Sequence, residues 1–281
     1  MNVLQQIQLG LASYKEAHVF IKQHKFYSFF FIPIVFNLIL FLLFSGLVWH
    51  YAQLGADYVY YELNIDGANF GKLEILKSLL KFSIAFAFKI LGLLLYVIAF
   101  RNIVLVLMAP VLTVVSERVA EIISGEVIEF SSVQFLKDVA RGLVVALKNS
   151  VKEIFYTVII FFLSFVPIIG FTGSLLLFAM QSYFYGFSMI DYTLEQKKLT
   201  VKQSENFIWN NKWLAITIGA IFNLLVILST TFSVFPSIFV SFIIKVVLLI
   251  PLIALSVAPI YAVVAATLAT LKIYTVEQSK L

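Results

Sequence analysis

The chain has 281 residues, 62% of them hydrophobic and only 12% charged, whereas a soluble domain carries about 45–50% apolar and about 25% charged residues. With a mean hydropathy of +1.00, this excludes an ordinary soluble globular domain. Cysteine is absent, which excludes disulfides, thiolate metal sites and a thiol nucleophile. The net charge of +5 points to basic cytoplasmic loops rather than to nucleic acid.

The first 25 residues mix Leu4, Ile7, Leu11, Tyr14 and Val19 with polar residues at roughly helical spacing. This predicts an amphipathic helix lying in the membrane interface, retained rather than cleaved as a signal. Phe26 to Trp49 holds no charged residue and, as a helix of about 36 Å, is long enough for a first span. Residues 50–81 carry Asp57, Glu62, Asp66 and Glu74 among glycines and read as an external loop with some helix. Phe82 to Met108 is the expected second span, interrupted by Lys89 and Arg101 and followed by a kink at Pro110.

Residues 111–153 form the largest polar region, expected as cytoplasmic amphipathic helices. Ser131 and Gln134 have the spacing of a capping box, so a helix is predicted to start there. Its first half places Phe135, Val139, Leu143 and Leu147 on one face, and its second half, from Ile154, is wholly apolar. Asp138 and Arg141 stand one turn apart and can pair. The run 154–190 carries no charge and is divided at Pro167-Ile168-Ile169-Gly170. Its first arm, about 20 Å, is too short to cross, and basic residues flank the run on both sides. It therefore reads as a hairpin that enters and returns. Residues 213–271 hold one charge, Lys245, between basic flanks, and make a second hairpin region with Ser233, Pro236 and Ser237 as one candidate turn. Whether it holds one long hairpin or two short ones is not fixed by spacing. Fourteen of the 20 Lys and Arg fall in the flanks assigned to one side, so both termini are expected in the cytoplasm.

Constellations for catalysis are missing. His18, His24 and His50 are scattered, and no HExxH, GxSxG or Walker A pattern occurs. No cofactor or metal site is implied, and the chain does not read as an enzyme. The charges within the apolar runs carry more information: all are basic, namely Lys89, Arg101 and Lys245. An intramembrane charge costs at least about 2.5–3.5 kcal/mol and marks a functional position unless it snorkels to the surface. Spans that admit only cations suit an anionic solute. Gly170, Phe171, Thr172 and Gly173 follow a helix break and offer N–H groups to an anion, unless the break is a plain turn.

The order of motifs resembles the CysZ sulfate permeases and the wider etoposide-induced protein 2.4 domain family. The matching positions are Ile32-Pro33 with Asn37, Ala109-Pro110 with Glu117, and Lys137-Asp138-Val139 with Arg141. Val166-Pro167-Ile168-Ile169-Gly170 follows, then Gly186, Asp191 and Tyr192, and Ile250-Pro251-Leu252 with Pro259. The resemblance covers most of residues 1–275. It implies an all-α integral membrane protein with two long transmembrane helices and membrane-inserted, partly re-entrant helical hairpins. It also implies a homo-oligomer in the bacterial cytoplasmic membrane that takes up sulfate for cysteine biosynthesis. Two departures stand out. The arginine pair linked to sulfate binding in the family is replaced by Tyr27 and Ser28, with Lys25 nearby, and some two dozen residues around Val226 to Leu249 look inserted. The alternative function is a non-transporting membrane organiser or interaction protein of the same family.

Overall fold

A computed structural model describes residues 1–65, 67, 74–125, 132–163, 167–237 and 249–278. Every regular element among them is a helix: α1 Val3–Gln23, α2 Ser28–Glu62, α3 Glu74–Ser124, α4 Ser132–Leu163, α5 Pro167–Gln196, α6 Val201–Asn210, α7 Lys212–Ser237 and α8 Leu249–Gln278. The chain divides into two compact units. The first comprises Met1–Ile34 and Leu105–Leu281, the second Val35–Val104.

Local chemistry sets the helix ends. Asn2 and Gln5 form a reciprocal capping box at the start of α1, and Thr200 and Gln203 do the same for α6, satisfying N–H groups that have no intrahelical acceptor. Pro167 opens α5, where its missing N–H and fixed φ cost nothing. The Pro167–Gly170 break seen in the sequence is thus the first turn of a helix. The expected N-cap Ser131 lies outside the described residues, but α4 begins immediately after it. The acidic 50–81 stretch is more helical than a loop reading allows, with α2 running to Glu62 and α3 starting at Glu74. Likewise α3 continues through Pro110 to Ser124.

Three helices end on a residue in the left-handed region: Lys25 (φ 55), Asn64 (φ 46) and Lys198 (φ 57). In each case the next residue's N–H reaches back five positions: Phe26 to Ile21 at 3.1 Å, Ile65 to Tyr60 at 3.0 Å and Leu199 to Leu194 at 3.3 Å. This is the Schellman arrangement, which normally takes glycine. A lysine there costs backbone strain. Lys198→Gly is therefore expected to stabilise the protein by about 1 kcal/mol, read as a higher unfolding temperature of the detergent-solubilised chain.

In the first unit α5 and α7 run antiparallel at very close approach. A Cβ on Gly186 would stand 1.8 Å from the Ala215 carbonyl oxygen, and one on Gly219 would stand 1.7 Å from that of Ser182. Small residues one turn apart (Ser182 and Gly186 facing Ala215 and Gly219) let the backbones touch, the packing typical of helices in lipid. Tyr185 and Phe222 meet edge-on beside them, centroids 5.2 Å apart. α8 packs on α5 and α7 and α1 on α7 and α8. Ser116, Thr193 and Thr267 join α3, α5 and α8 through mutually bonded buried hydroxyls at 3.0–3.3 Å.

α1 turns an unexpected face inward. Its buried residues are Gln6, Gly10, Ser13, Ala17 and Ile21, while Leu4, Leu11 and Val19 are exposed. These three residues of the apolar stripe face away from the protein, because the close contacts with α7 and α8 require small side chains, whereas Tyr14 of the same stripe donates its hydroxyl to the Ile218 carbonyl of α7 at 2.8 Å. In the second unit α2 and α3 pair antiparallel, with Gly55 against Phe88, and the Tyr60 hydroxyl donates to the Lys81 carbonyl at 2.6 Å.

Among the described residues one stretch, Ser256–Thr275 in α8, is by itself long and apolar enough to cross a membrane, and it is largely buried within the protein. α6 and α7 up to Leu228 pass the same test as a pair bent by 88°, and Ser28–Leu40 is a shorter apolar helix.

Candidate functional site

Two places in the first unit gather polar and charged side chains. The first is the α1–α2 turn. The Schellman cap holds Lys25 at φ 55 and buries Phe26 beneath it. Tyr27 is exposed, and Ser28 is the first residue of α2. The three candidates Lys25, Tyr27 and Ser28 are thereby set at the N-terminal end of a helix, where the dipole favours negative charge, while the N–H groups of Phe29 and Phe30 already donate to the Phe26 and Tyr27 carbonyls at 3.1 Å. A frame of rings steadies this end: Tyr27 meets Phe30 edge-on at 6.1 Å, and Phe30 stacks with Tyr261 of α8 at 5.9 Å. The Tyr261 hydroxyl lies 3.1 Å from Nδ1 of His18 on α1.

The second place is a buried charge cluster joining α4, α5 and α6. Arg141 of α4 directs Nη2 to Asp191 Oδ1 at 3.5 Å and to Ser204 Oγ at 3.1 Å. Its Nη1 lies 3.9 Å from Glu195 Oε1. Asp191 and Glu195 are only 3% and 4% exposed. Burial pushes the Asp191 carboxyl above the usual carboxylate range, opposed by the Arg141 guanidinium and the Ser204 hydroxyl. One turn apart on α5, the two acids face Arg141, and beside them Gly142 of α4 packs so that an added Cβ would only touch the Tyr192 ring at 3.6 Å and Glu195 at 3.7 Å. Further along the same face Asn149 donates to Ser188 at 3.5 Å, and Tyr185 donates to the buried Glu153 at 3.4 Å.

On the outer rim Glu205 of α6 binds Lys148 at 3.0 Å and Lys152 at 3.7 Å. The Lys148 hydrogen bond is the largest influence holding its carboxyl below the usual range. This pair is exposed and worth at most about 1 kcal/mol. The buried Arg141 contacts therefore hold α4 to α5.

The other sequence candidates fall apart from these places. Gly170 closes the first turn of α5, and Thr172 and Gly173 lie in the second turn, where backbone N–H groups belong to the helix ladder. Thr172 is exposed and Gly173 buried. Lys89 lies part-exposed on α3 in the second unit. Arg101 is on the same helix, with its side chain outside the described residues. Lys245 lies wholly outside them.

The Arg141 cluster was missed as a site. Arg141 reads in the sequence as a partner of Asp138 one turn away, whose side chain lies outside the described residues, and its described acids come from 50 and 54 positions further along the chain. The available signal was the separate presence of Arg141, Asp191 and Tyr192 among the family-like positions.

Among the described residues no group of His, Asp and Glu is placed to hold a metal ion. What the geometry offers is a cation at a helix start and a clamped, charged interior. A family model described as sulfate transporter CysZ/etoposide-induced protein 2.4 matches residues 14–259 of the 281. No curated protein matches the chain.

Proposed function

Since the chain belongs to the sulfate transporter CysZ/etoposide-induced protein 2.4 family, we propose that it is a membrane permease or channel for a small inorganic anion, with sulfate as the solute. In this reading it is a homo-oligomer in the bacterial inner membrane with both termini cytoplasmic, and uptake supplies cysteine biosynthesis. The long helices α2 and α3 provide two crossings over 26–49 and 82–108. α4–α5 and α7–α8 provide hairpins over 154–190 and 213–271. The apolar arm of α4, from Ile154 to Leu163, covers about 15 Å, half of a hydrocarbon core of about 30 Å, which supports an α4–α5 hairpin that dips and returns. The distribution of side chains supports membrane insertion: the hydroxyls of Ser116, Thr193 and Thr267 and the carboxylates of Glu153, Asp191 and Glu195 lie inside, while Phe31, Leu42, Leu43, Phe162, Leu175 and Leu176 lie outside.

The observation that carries the anion reading is Lys25, an exposed cation set directly before the start of α2. Its left-handed backbone is shared with Asn64 and Lys198, so the weight rests on its charge and its place beside a helix N-terminus. The test follows from the same geometry. Lys25→Gly removes the cation and relieves the backbone, so the variant should be at least as stable as the parent. Radiolabelled sulfate uptake into proteoliposomes should nevertheless fall by about tenfold, corresponding to about 1.4 kcal/mol of lost anion stabilisation. Unchanged uptake would remove Lys25 from the path. Parent uptake no greater than in empty liposomes would remove transport altogether. Lys89→Met, Arg101→Met and Lys245→Met in the same assay test whether the intramembrane cations line the route. The second reading, a non-transporting membrane organiser, is favoured by Tyr27 and Ser28 standing where the resemblance leads one to expect arginines, and it predicts that null uptake.

A further inference from the structure

The corner between α6 and α7 has a use that neither the charge cluster nor the α1–α2 turn explains. The two helices meet at 88°, and the bend is rigidly satisfied. Gln6 of α1 donates Nε2 to the Asn210 carbonyl at 3.3 Å and accepts the N–H groups of Trp213 and Leu214 at 3.1 and 3.4 Å. Asn211, buried at the bend, donates Nδ2 to the Phe207 carbonyl at 3.0 Å.

The outside of this rigid corner carries two exposed tryptophans, Trp209 at 61% and Trp213 at 37%. Lys212 Nζ lies 4.8 Å above the Trp209 ring, and among the described residues no carboxylate pairs with it. Tyr183 of α5 stands edge-on to Trp209, centroids 6.3 Å apart.

The surroundings give this corner a level. On its polar side are the paired Lys148, Lys152 and Glu205. On its other side exposed apolar residues continue down each helix: Val158 and Phe162 on α4, Leu175 and Leu176 on α5, Leu224 and Leu228 on α7. Tyr156 of α4, stacked against Phe184 of α5 at 6.4 Å, stands between the same two zones. Tryptophan and tyrosine concentrate where an apolar surface meets a charged one at a bilayer boundary. Lys212, half-buried beside the Trp209 ring, adds attraction to anionic lipid.

We propose that the Trp209–Lys212–Trp213 corner is a seat for anionic phospholipid headgroups, with α6 lying in the membrane plane and α7 descending from it. The indole N–H groups and the Lys212 ammonium face the lipid phosphate, and the rigid bend fixes the depth of the whole α4–α7 bundle. This rests on the membrane reading above, and the experiment separates the two.

The full-length chain with Trp49→Phe and Trp213→Phe keeps Trp209 as its single tryptophan, and Trp209→Phe in the native chain serves as the subtraction control. Both are reconstituted into zwitterionic vesicles and into vesicles with added phosphatidylglycerol, and floated on a density gradient. Lipids brominated near the headgroup should quench Trp209 at least about twofold more than lipids brominated near the chain ends. Aqueous acrylamide should quench it little. Added phosphatidylglycerol should strengthen the shallow quenching, and Lys212→Met should abolish that difference. Strong acrylamide quenching, or stronger deep than shallow quenching, in protein that floats overturns the proposal and leaves the membrane reading intact. Persistence of the phosphatidylglycerol difference in Lys212→Met overturns the headgroup role of Lys212. Failure to float with either vesicle removes both readings.

Discussion

Gly219→Ala and Gly186→Ala are each expected to destabilise the protein by about 3 kcal/mol or more, because these positions make the closest backbone approaches that an added methyl group would meet among the described glycines. The added carbon at 219 would meet the Ser182 carbonyl oxygen at 1.7 Å and the Gly186 nitrogen at 2.7 Å. At 186 it would meet the oxygen, carbonyl carbon and Cα of Ala215 at 1.8, 2.5 and 2.9 Å. All of these are backbone atoms, so no rotamer change makes room and the helices themselves must separate. In a close-packed interior such a shift forfeits contacts along the whole α5–α7 seam. Gly46→Ala supplies the control. A methyl there meets nothing within 4 Å inside α2, and removing a mid-helix glycine gains about 0.5–1 kcal/mol. Thermal unfolding in detergent should place the three variants in that order, with Gly46→Ala at or above the parent. If Gly219→Ala unfolds with the parent, the two backbones do not touch as described.

That seam shows why part of the fold is readable in the sequence and part is not. Long uncharged runs, a proline at 167 and capping residues act locally, so helices and their starts can be placed from neighbouring residues alone. Contacts between helices depend on residues far apart in the chain. Nothing local to Gly186 names Gly219 as its partner, and nothing local to Arg141 names Asp191. α1 illustrates the limit most directly. Its apolar spacing correctly indicates a helix with two faces. However, the face that packs is the one with Gly10, Ser13 and Ala17, because close approach to Thr217 and Leu214 selects for size over hydrophobicity. In a membrane the usual inference from apolar stripe to buried face loses its force, since lipid is as apolar as the core. The site divides in the same way. Lys25, Tyr27 and Ser28 are adjacent in sequence and stay together in the fold, whereas the Arg141 cluster is assembled from three helices.

Arg141→Met should be the most damaging charge substitution, costing about 3–5 kcal/mol at neutral pH, because it leaves buried carboxylates without their cation. The arginine is only 20% exposed and its partners less so, so water can do little to replace it. The sign of the pH dependence follows from Asp191. Its carboxyl already lies above the ordinary range because of burial, and Arg141 is the strongest influence opposing that rise. Without Arg141 the folded form holds its proton to still higher pH, while the unfolded chain releases it near about 3.9. The folded state then binds more protons than the unfolded one, and stability falls as pH rises through that interval. The deficit of Arg141→Met relative to the parent should therefore shrink as pH is lowered from 8 towards the raised Asp191 value, measured by chemical unfolding in detergent. Adding Asp191→Asn and Glu195→Gln to Arg141→Met removes the stranded charges and should recover much of the loss and flatten its pH dependence. Arg141→Lys should recover less, because one ammonium cannot reproduce contacts made by two guanidinium nitrogens to Asp191, Ser204 and Glu195. A deficit that does not change with pH, or that grows as pH falls, would mean that the cluster holds α4 to α5 by packing alone. The apolar stem of Arg141 would then matter more than its charge.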